Sequence, residues 1–273
     1  MSIRFLFPAM VCLLVGLSGA ACQGKLTQSD LDALAALPAA ERSARIEQLM
    51  TAHPQHPQLP GLLAKARYEG YAGLAPLARI EAIKESLRQD PEDAVTSKLL
   101  GDAYSDYARG EGGTSYRDSA LFAYENAALK APHFFAAVGS VGALYDEKED
   151  YEQAIVWYEK ALALEPEHVP TLCNLGASFY NRGDYPRAMD YYRRALELDP
   201  RSQDAHYNLG VAFAEATIYR EAIREWREVV AIDSTTAVAK EAAKNADLLQ
   251  DVLDETIYKG GKKSRRVNLQ GTE

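Results

Sequence analysis

Two histidines, His53 and His56, are the residues whose spacing comes nearest to a metal-binding pattern. They lie in a Pro-rich connector that has no cysteine nearby and no evident third ligand, whereas zinc sites take three or four protein ligands. Ser, Asp and Glu recur at helical surface spacing, and the sequence contains no Gly-rich phosphate-binding loop. The sequence therefore predicts no metal, no cofactor and no catalytic site, and it favours a non-enzymatic role.

The start of the chain, residues 1–21, has the composition of an export signal. Arg4 gives a positive start, residues 5–17 form an apolar run, and small residues follow at 18–21. The apolar run is too short to cross a membrane, because a spanning helix needs roughly 20 residues. We therefore predict a signal peptide over residues 1–21 and an exported chain.

The end of this signal resembles the bacterial lipobox, in which a cysteine becomes the lipidated first residue of the mature protein. The matching residues are Gly19, Ala20, Ala21 and Cys22. The family usually has an aliphatic residue where Gly19 stands, so cleavage after Ala21 without lipid is the alternative. By the same resemblance, Gln23 implies the outer membrane of a Gram-negative cell. There, acyl chains such as palmitate would anchor the protein with about 0.8 kcal/mol per buried methylene.

The three cysteines leave no pair for an intramolecular disulfide. Cys12 lies in the cleaved segment and Cys22 is the proposed lipid site, so Cys173 is the one thiol in the body of the protein. We expect Cys173 to be a buried small apolar residue. An intermolecular bridge through this lone thiol is the alternative.

One residue pattern recurs four times, and its regular copies follow one another with a constant 34-residue period. Each copy has apolar residues and a Gly, then an aromatic residue, and then Ala, an aromatic residue, and Ala or Val. In the middle copy these marks fall at Leu172, Leu175, Gly176, Phe179, Ala188, Tyr192, Ala195 and Pro200. Such a period, split into two stretches of helical spacing, predicts helix-turn-helix repeats stacked into a solenoid.

This pattern resembles the tetratricopeptide repeat (TPR) family. The resemblance implies an all-α fold, a right-handed superhelix of helix-turn-helix repeats with a capping helix at the C-terminus. It also implies a concave groove, lined by the first helix of each repeat, that binds an extended or helical peptide of another protein. Because a single repeat cannot bury its own apolar face, neighbouring repeats must stack.

Small and aromatic residues have separate expected roles in each repeat. We expect each repeat Gly to face an Ala where the two helices cross, and each aromatic residue of the second helix to pack against the next repeat. The expected Gly and Ala pairs are Gly142 with Ala154, Gly176 with Ala188, and Gly210 with Ala222. The corresponding aromatic residues are Tyr158, Tyr192 and Trp226.

The repeats and their flanks divide the chain into eight segments. They are a signal peptide (1–21), a linker with degenerate repeats (22–93), a repeat with a seven-residue insertion (94–134), three regular repeats (135–168, 169–202 and 203–236), a capping helix (237–258) and a basic tail (259–273). The insertion, within residues 108–114, is predicted to lengthen the turn between two helices, either as a tolerated surface loop or as a contact loop for a partner.

The flanking segments also have expected helices. Residues 61–72 and 77–89 are predicted to form the two helices of one degenerate repeat, and two further helices, 31–37 and 39–52, are predicted before it. We expect Ser29 and Asp30 to cap the first of these helices and Ser234 to cap the closing one.

The candidate partner-binding residues follow from their repeat position. The fifth, ninth and twelfth positions of the first helices line the groove in the family. These positions hold Lys98, Gly139, Cys173 and Tyr207, then Asp102, Ala143, Ala177 and Val211, and then Ser105, Asp146, Tyr180 and Ala214. Tyr180 and Tyr207 are the candidate anchors, because aromatic side chains give a large contact area at low entropy cost. Packing between neighbouring first helices is the alternative role for both tyrosines.

The groove lacks the Lys and Arg residues of the carboxylate clamp of chaperone-binding TPR proteins. The clamp positions hold Gly139, Ala143, Asn174, Asp204 and Asn208, of which only Asn174 matches. A chaperone co-factor of that type is therefore disfavoured.

Charge separates the body from the tail. Residues 22–258 hold 24 basic and 38 acidic residues, a net charge of about −14, whereas residues 259–273 hold five basic residues and one acid. The acidic body disfavours nucleic-acid binding, since phosphate recognition takes a basic face. The tail could contact an anionic membrane, peptidoglycan or an acidic partner, or it could be a solvated terminus.

These features together predict a lipid-anchored adaptor of a Gram-negative envelope that binds another protein in its groove. It is similar in plan to pilotins and to other outer-membrane TPR lipoproteins, with possible roles in pilus, secretion or envelope assembly. One alternative is a soluble periplasmic protein that binds a small hydrophobic ligand. Another is a structural element that forms homo-oligomers, such as a homodimer, through its degenerate N-terminal repeats.

Overall fold

The computed structural model describes residues 26–113 and 115–258. Within these ranges the chain forms thirteen α-helices and no strand, which confirms the all-α repeat fold predicted from the repeat spacing. The predicted signal peptide, the proposed lipid site Cys22 and the basic tail lie outside the described residues. The chain divides after Pro166 into two compact parts, here named the N-terminal unit and the C-terminal unit.

The helices of the two units have the following bounds over their described residues. The N-terminal unit holds α1 Gln28–Ala35, α2 Ala39–Ala52, α3 Leu59–Glu69, α4 Pro76–Gln89, α5 Ala94–Tyr107, α6 Ser115–Lys130, α7 Phe135–Glu147 and α8 Tyr151–Leu164. The C-terminal unit holds α9 Val169–Asn181, α10 Tyr185–Leu198, α11 Gln203–Glu215, α12 Tyr219–Ile232 and α13 Ala237–Tyr258.

The two helices of each repeat pack on each other. The pairs are α5 with α6, α7 with α8, α9 with α10, and α11 with α12, while α13 packs on α12. In the C-terminal unit the first helices also contact one another, α9 with α11 and α11 with α13. The second-helix aromatics Tyr158, Tyr192 and Trp226 are almost fully buried, each with about 2% of its surface exposed.

The repeat glycines face the aromatic rings of the second helix of their own repeat, a contact that the sequence analysis did not predict. A Cβ atom added to Gly176 would lie 2.6 Å from Cε1 of Tyr192, and one added to Gly142 would lie 2.9 Å from the Tyr158 ring. Gly101 and Gly210 meet Tyr124 and Trp226 in the same way. The ring of the second helix therefore lies directly on the backbone of the first helix of its own repeat, because the first helix has no side chain at that point.

Side chains cap many of the repeat helices at their N-termini. Asp150 and Asp184 accept hydrogen bonds from the third backbone N–H of α8 and α10, at 3.2 and 3.3 Å. Two predicted caps are wrong. Thr27, not Ser29 or Asp30, caps α1, and Asp30 completes a capping box with it. At α13, Thr236 Oγ1 accepts from Ala239 N at 3.2 Å, so Thr236 replaces Ser234 as the cap.

The seven-residue insertion extends a helix instead of forming an open turn. Residues Ala108–Gly112 continue α5 as one π-helical turn, and Gly113 then adopts a φ of 63°. Beyond it, the Tyr116 ring packs edge-on against Tyr107, with 4.6 Å between the ring centroids. A wider helical turn can absorb extra residues without breaking the helix, so the pairing of α5 with α6 is retained.

The degenerate N-terminal region does not form the predicted repeat of two paired helices. Helix α3 packs on α2, α5 and α7, whereas α4 packs on α5. Leu59 and Leu63 of α3 are buried in the core of the N-terminal unit. A missing repeat mark explains this difference, because Arg79 of α4 occupies a position where a small residue would let a partner helix approach closely.

Candidate functional site

The predicted groove residues of α5 form an internal ion pair. Lys98 Nζ lies 2.7 Å from Asp102 Oδ2, and the Tyr124 hydroxyl donates to Asp102 Oδ1 at 2.8 Å. The Lys98 and Asp102 side chains are only 16% and 22% exposed. Both charges therefore already have partners within the N-terminal unit.

Helix α3 restricts access to this part of the groove. The Phe135 N–H, at the start of α7, donates to Pro57 O at 3.2 Å, and a Cβ atom added to Gly61 of α3 would lie 3.2 Å from Ala136 Cβ. A cleft of about 480 Å³ lies between α3, α4 and α5. Its lining residues are Gly61, Lys65, Tyr68, Glu69, Ala72, Arg79, Lys98 and Asp102. The chain itself thus covers part of the predicted groove in this unit.

The predicted residues of α7 are more accessible. Gly139, Ala143 and Asp146 are all partly exposed, and a Cβ atom added to Gly139 would have no neighbour within 4 Å. Gly139 therefore differs from the repeat glycines, because nothing packs on its backbone. Ser105 of the preceding first helix is buried, with 8% exposed, and contributes little surface.

The two tyrosines proposed as anchors are half-buried on neighbouring first helices of the C-terminal unit. The Tyr180 ring, on α9, packs on Tyr185 with 5.3 Å between centroids. Tyr207, on α11, accepts a hydrogen bond at its hydroxyl from Asn245 Nδ2 at 3.4 Å. Its ring lies 6.5 Å from Trp226. Each tyrosine thus has one packed side and one exposed side. It can therefore both pack within the fold and anchor a partner, the two roles that the sequence analysis considered.

Charge and burial raise the pKa of Tyr180 to about 12. Burial is the largest cause, followed by the negative charge of Glu215 and the neighbouring tyrosines. The pKa of Tyr207 is raised by burial and by Glu241, although its hydrogen bond from Asn245 acts in the opposite direction. Both phenols are therefore neutral near pH 7 and can donate a hydrogen bond.

The other predicted residues of the C-terminal unit differ in exposure. Ala177 and Val211 are half-buried beside the tyrosines, whereas Cys173 is 7% exposed and Ala214 is 5% exposed. Burial, followed by the charges of Asp204 and Asp199, raises the pKa of the Cys173 thiol to about 11. Cys173 is therefore a buried, unreactive thiol, as expected of a small apolar residue.

Helix α13 adds residues to this surface that the sequence analysis assigned only to a cap. Glu241, Asn245 and Leu248 stand one full repeat period after Tyr207, Val211 and Ala214, and thus occupy the same repeat positions. The Leu248 side chain is 42% exposed. Continuing the repeat register past the last full repeat would have identified them. We name the tyrosine face as Ala177, Tyr180, Tyr207, Val211, Asn245 and Leu248.

Two histidines, His206 and His56, have hydrogen-bond partners within the fold. His206 Nδ1 lies 2.8 Å from Glu225 Oε2, and its Nε2 lies 3.2 Å from Pro200 O. His56 Nδ1 accepts a hydrogen bond from Gln58 N at 3.3 Å, and burial and then His53 lower its pKa. Within residues 26–113 and 115–258, no three His, Cys, Asp or Glu side chains come together in a way that could hold a metal ion.

The comparison with known proteins agrees with the fold. A family model described as TPR repeat matches residues 142–181 and 178–216. The TPR protein YrrB has a solved structure that superposes with a TM-score of 0.54 at 16% identity, covering 74% of this chain and 99% of its own. The structure of MamA from residue 41 to its end, from Desulfovibrio magneticus RS-1, superposes with a TM-score of 0.56 at 17% identity. The match covers 65% of this chain and 97% of the MamA chain.

These identities are low, so the structural matches establish the fold alone. No curated protein matches the chain at the level of sequence. No helix in the described ranges is long and apolar enough to span a membrane. The chain is thus a TPR-type helical repeat array, and its C-terminal unit presents the half-buried tyrosines of the tyrosine face.

Proposed function

We propose that the chain is a non-enzymatic scaffold that binds a peptide or helix of another protein on the tyrosine face. The observation that carries this proposal is the pair of half-buried tyrosines, Tyr180 and Tyr207, on the adjacent helices α9 and α11. Aromatic side chains of this kind dominate binding energy at protein interfaces, because they present a large apolar area with few rotatable bonds.

Apolar residues beside the tyrosines support this role. Val211 lies one helical turn after Tyr207, and the exposed Leu248 extends the same surface onto α13. YrrB, a TPR protein with an unusual peptide-binding site, is consistent with a peptide as the ligand class. In the N-terminal unit, by contrast, α3 and an internal ion pair already occupy the corresponding positions at Lys98 and Asp102.

The proposed place of action is the envelope of a Gram-negative bacterium. The apolar run at 5–17 and the lipobox-like residues ending at Cys22 support export and lipid attachment at the outer membrane. A lipid anchor would hold the scaffold at the membrane surface, facing the periplasm, and thereby concentrate its partner there. Pilus, secretion and envelope assembly are the processes that use such scaffolds, and we propose one of them as the setting.

Photocrosslinking tests the binding surface directly. A photoreactive phenylalanine analogue at Tyr180 or Tyr207 should crosslink one defined partner in the native envelope, whereas the same analogue at Tyr151, a half-exposed tyrosine of α8, should not. With the partner purified, Tyr180→Ala combined with Tyr207→Ala should weaken binding at least about tenfold, as expected for the loss of two interface anchors. Tyr151→Ala should leave the affinity unchanged.

Stability must be measured on the same variants. Tyr180→Phe and Tyr207→Phe keep the rings and should keep most of the affinity, which separates a contact role from a folding role. Equal crosslinking from all three positions, or an unchanged affinity in the double alanine variant, would show that the partner binds elsewhere.

A further inference from the structure

We infer that the partner segment bound by the tyrosine face is basic, with Lys or Arg side chains between its apolar anchors. This inference rests on the proposed function of the same face. It adds the chemical class of the partner, which the aromatic residues alone do not define.

The helices that form the tyrosine face are short of positive charge. Helices α9 and α11 contain no Lys or Arg within their bounds, and α13 contains five acidic residues against two lysines. The one histidine of α11, His206, hydrogen-bonds to Glu225 of α12. Of the two lysines of α13, Lys244 lies 3.6 Å from Glu241 of the same helix. The face thus offers almost no cation to an incoming acidic group.

Three carboxylates border the apolar centre of the face. Asp204 and Glu215 stand on the same side of α11 as Tyr207 and Val211, at spacings of three, seven and eleven residues along the helix. Glu241 lies one turn before Asn245 on α13. All three are exposed. The apolar residues at the centre of the face are therefore flanked by negative charges, one at each end of α11 and one on the neighbouring helix α13.

These carboxylates act on the residues that would contact a partner. After burial, the charge of Glu215 contributes to the raised pKa of Tyr180, and that of Glu241 contributes to the raised pKa of Tyr207. The negative charge of these carboxylates therefore reaches both tyrosines of the face.

A Lys or Arg side chain fits this arrangement in two ways at once. Its charged end can pair with Glu215 or Glu241, and it can lie over the electron-rich face of a tyrosine ring, within about 6 Å of the centroid. Its aliphatic stem can pack on Val211 or Leu248. An acidic segment would meet like charge and would lose its hydration without gaining a counter-ion.

The N-terminal unit shows how a repeat of this chain holds a cation at the same position. There, Lys98 occupies the fifth place of the first helix, pairs with Asp102, and lies 5.9 Å from the centroid of the Tyr124 ring. In the C-terminal unit Tyr207 and Cys173 occupy the fifth place, and neither α9 nor α11 holds a lysine that could pair with Asp204 or Glu215 in this way. A partner would supply the missing cation.

Two synthetic peptides distinguish charge from apolar contact. Both carry Leu and Phe at the same positions and a fluorescein label, and one has Lys and Arg where the other has Gln. Fluorescence anisotropy with the full chain should show binding of the basic peptide roughly tenfold tighter than the neutral one at low salt, and the difference should shrink as salt rises.

Matched variants assign the effect to the tyrosine face. Asp204→Asn with Glu215→Gln should abolish the preference for the basic peptide. Glu159→Gln with Glu197→Gln, which removes the same number of exposed charges from the second helices α8 and α10, should preserve it. An equal loss in both pairs would mean non-specific attraction to an acidic protein and would overturn the inference.

The remaining outcomes separate this inference from the proposed function. If both peptides bind equally and both lose affinity in Tyr180→Ala with Tyr207→Ala, the face binds peptides but the basic class is wrong. If neither peptide depends on the tyrosines, the proposed function fails as well. Tighter binding after Lys262, Lys263, Arg265 and Arg266 are replaced by Gln would assign the face to the chain's own tail, and this would also overturn the inference.

Discussion

At the scale of single residues, each repeat depends on a missing side chain. Gly101, Gly142, Gly176 and Gly210 let an aromatic ring of the second helix rest on the backbone of the first. The nearest ring atom would lie only 2.4 to 2.9 Å from an added Cβ atom, which is closer than atoms of this kind can approach. The glycine therefore fixes the packing of the whole repeat, even though glycine weakens a helix by itself.

Replacing two glycines by alanine should have opposite effects. Gly176→Ala should lower the free energy of unfolding by about 1 to 3 kcal/mol, because the buried Tyr192 ring must shift to admit a methyl group. Gly139→Ala should raise it by up to about 1 kcal/mol, because the site is open and alanine favours a helix. Urea unfolding followed by circular dichroism measures both. Similar losses in both variants would contradict the assigned packing.

The buried pair of His206 and Glu225 should make stability depend on pH. The hydrogen bond to Glu225 is the main cause that raises the pKa of His206 above its usual 6.5, while burial opposes it. For Glu225, burial raises the pKa, but the hydrogen bonds from His206 and Arg224 outweigh burial, so that the pKa lies below its usual 4.5. A raised histidine pKa stabilises the fold below 6.5, and this stabilisation is lost as the pH rises through the folded-state value.

The pair is therefore expected to contribute most between about pH 5 and pH 6.5. The difference in urea midpoint between the wild type and His206→Gln should be larger at about pH 6 than at about pH 8.5. Glu225→Gln should remove most of this pH dependence. A difference that stays constant over the same range would show that the histidine acts by packing alone.

At the scale of elements, the turn between the two helices has the same backbone geometry in all three regular repeats, although a different residue occupies the key position in each. Glu149, Gly183 and Thr217 are one repeat period apart and have φ values of 61°, 86° and 62°. In each turn the next N–H closes onto the first helix, from Asp150 to Tyr145 O, Asp184 to Phe179 O, and Ile218 to Phe213 O. Glycine adopts this left-handed conformation at the lowest steric cost.

Thr217→Gly should therefore stabilise the C-terminal unit. We expect a gain of about 0.5 to 1 kcal/mol, because a β-branched residue is strained at positive φ. Gly183→Thr, the reverse change at the equivalent turn, should cost about 1 to 2 kcal/mol. Both effects can be read from thermal and urea unfolding. Destabilisation by Thr217→Gly would mean that the threonine side chain makes contacts that outweigh its backbone strain.

At the scale of the whole molecule, the repeats provide a binding surface, and the proposed lipid anchor would hold that surface near a membrane. Each stacked helix pair buries one face and leaves another for binding, so function is set by which surface positions remain open. In the N-terminal unit α3 covers part of the groove, and in the C-terminal unit the tyrosine face is open. A lipid at Cys22 would confine that face to the vicinity of a membrane.

Cys22→Ser tests the proposed anchor. In a Gram-negative host the wild-type protein should fractionate with the outer membrane and incorporate labelled palmitate, whereas Cys22→Ser should do neither, because the acyl chains supply the membrane affinity. Cys173→Ser serves as the control, since that thiol is buried. Unchanged fractionation of Cys22→Ser, or insensitivity of processing to globomycin, would favour the alternative of simple release after Ala21.

The sequence predicted best those features that depend on residues close together in the chain. The helix pairs at 135–164, 169–198 and 203–232 follow from repeat marks that lie within one helix of each other. The caps at Thr27 and Thr236 were misassigned, because several Ser, Thr and Asp residues stand close together and only the backbone decides which one is at the helix start. Leu248 was missed because its repeat had lost the other marks.

The amino-acid sequence by itself determined the all-α repeat fold, the acidic body and the two tyrosines as candidate anchors, because periodicity and charge are properties of the chain in one dimension. Only the tertiary structure decided that the repeat glycines receive aromatic rings, that α3 packs on α5 and α7, and that Lys98 is already paired. These outcomes depend on which distant side chains fill the space beside each helix. In a close-packed interior, a side chain that fills a given space excludes every other side chain from it.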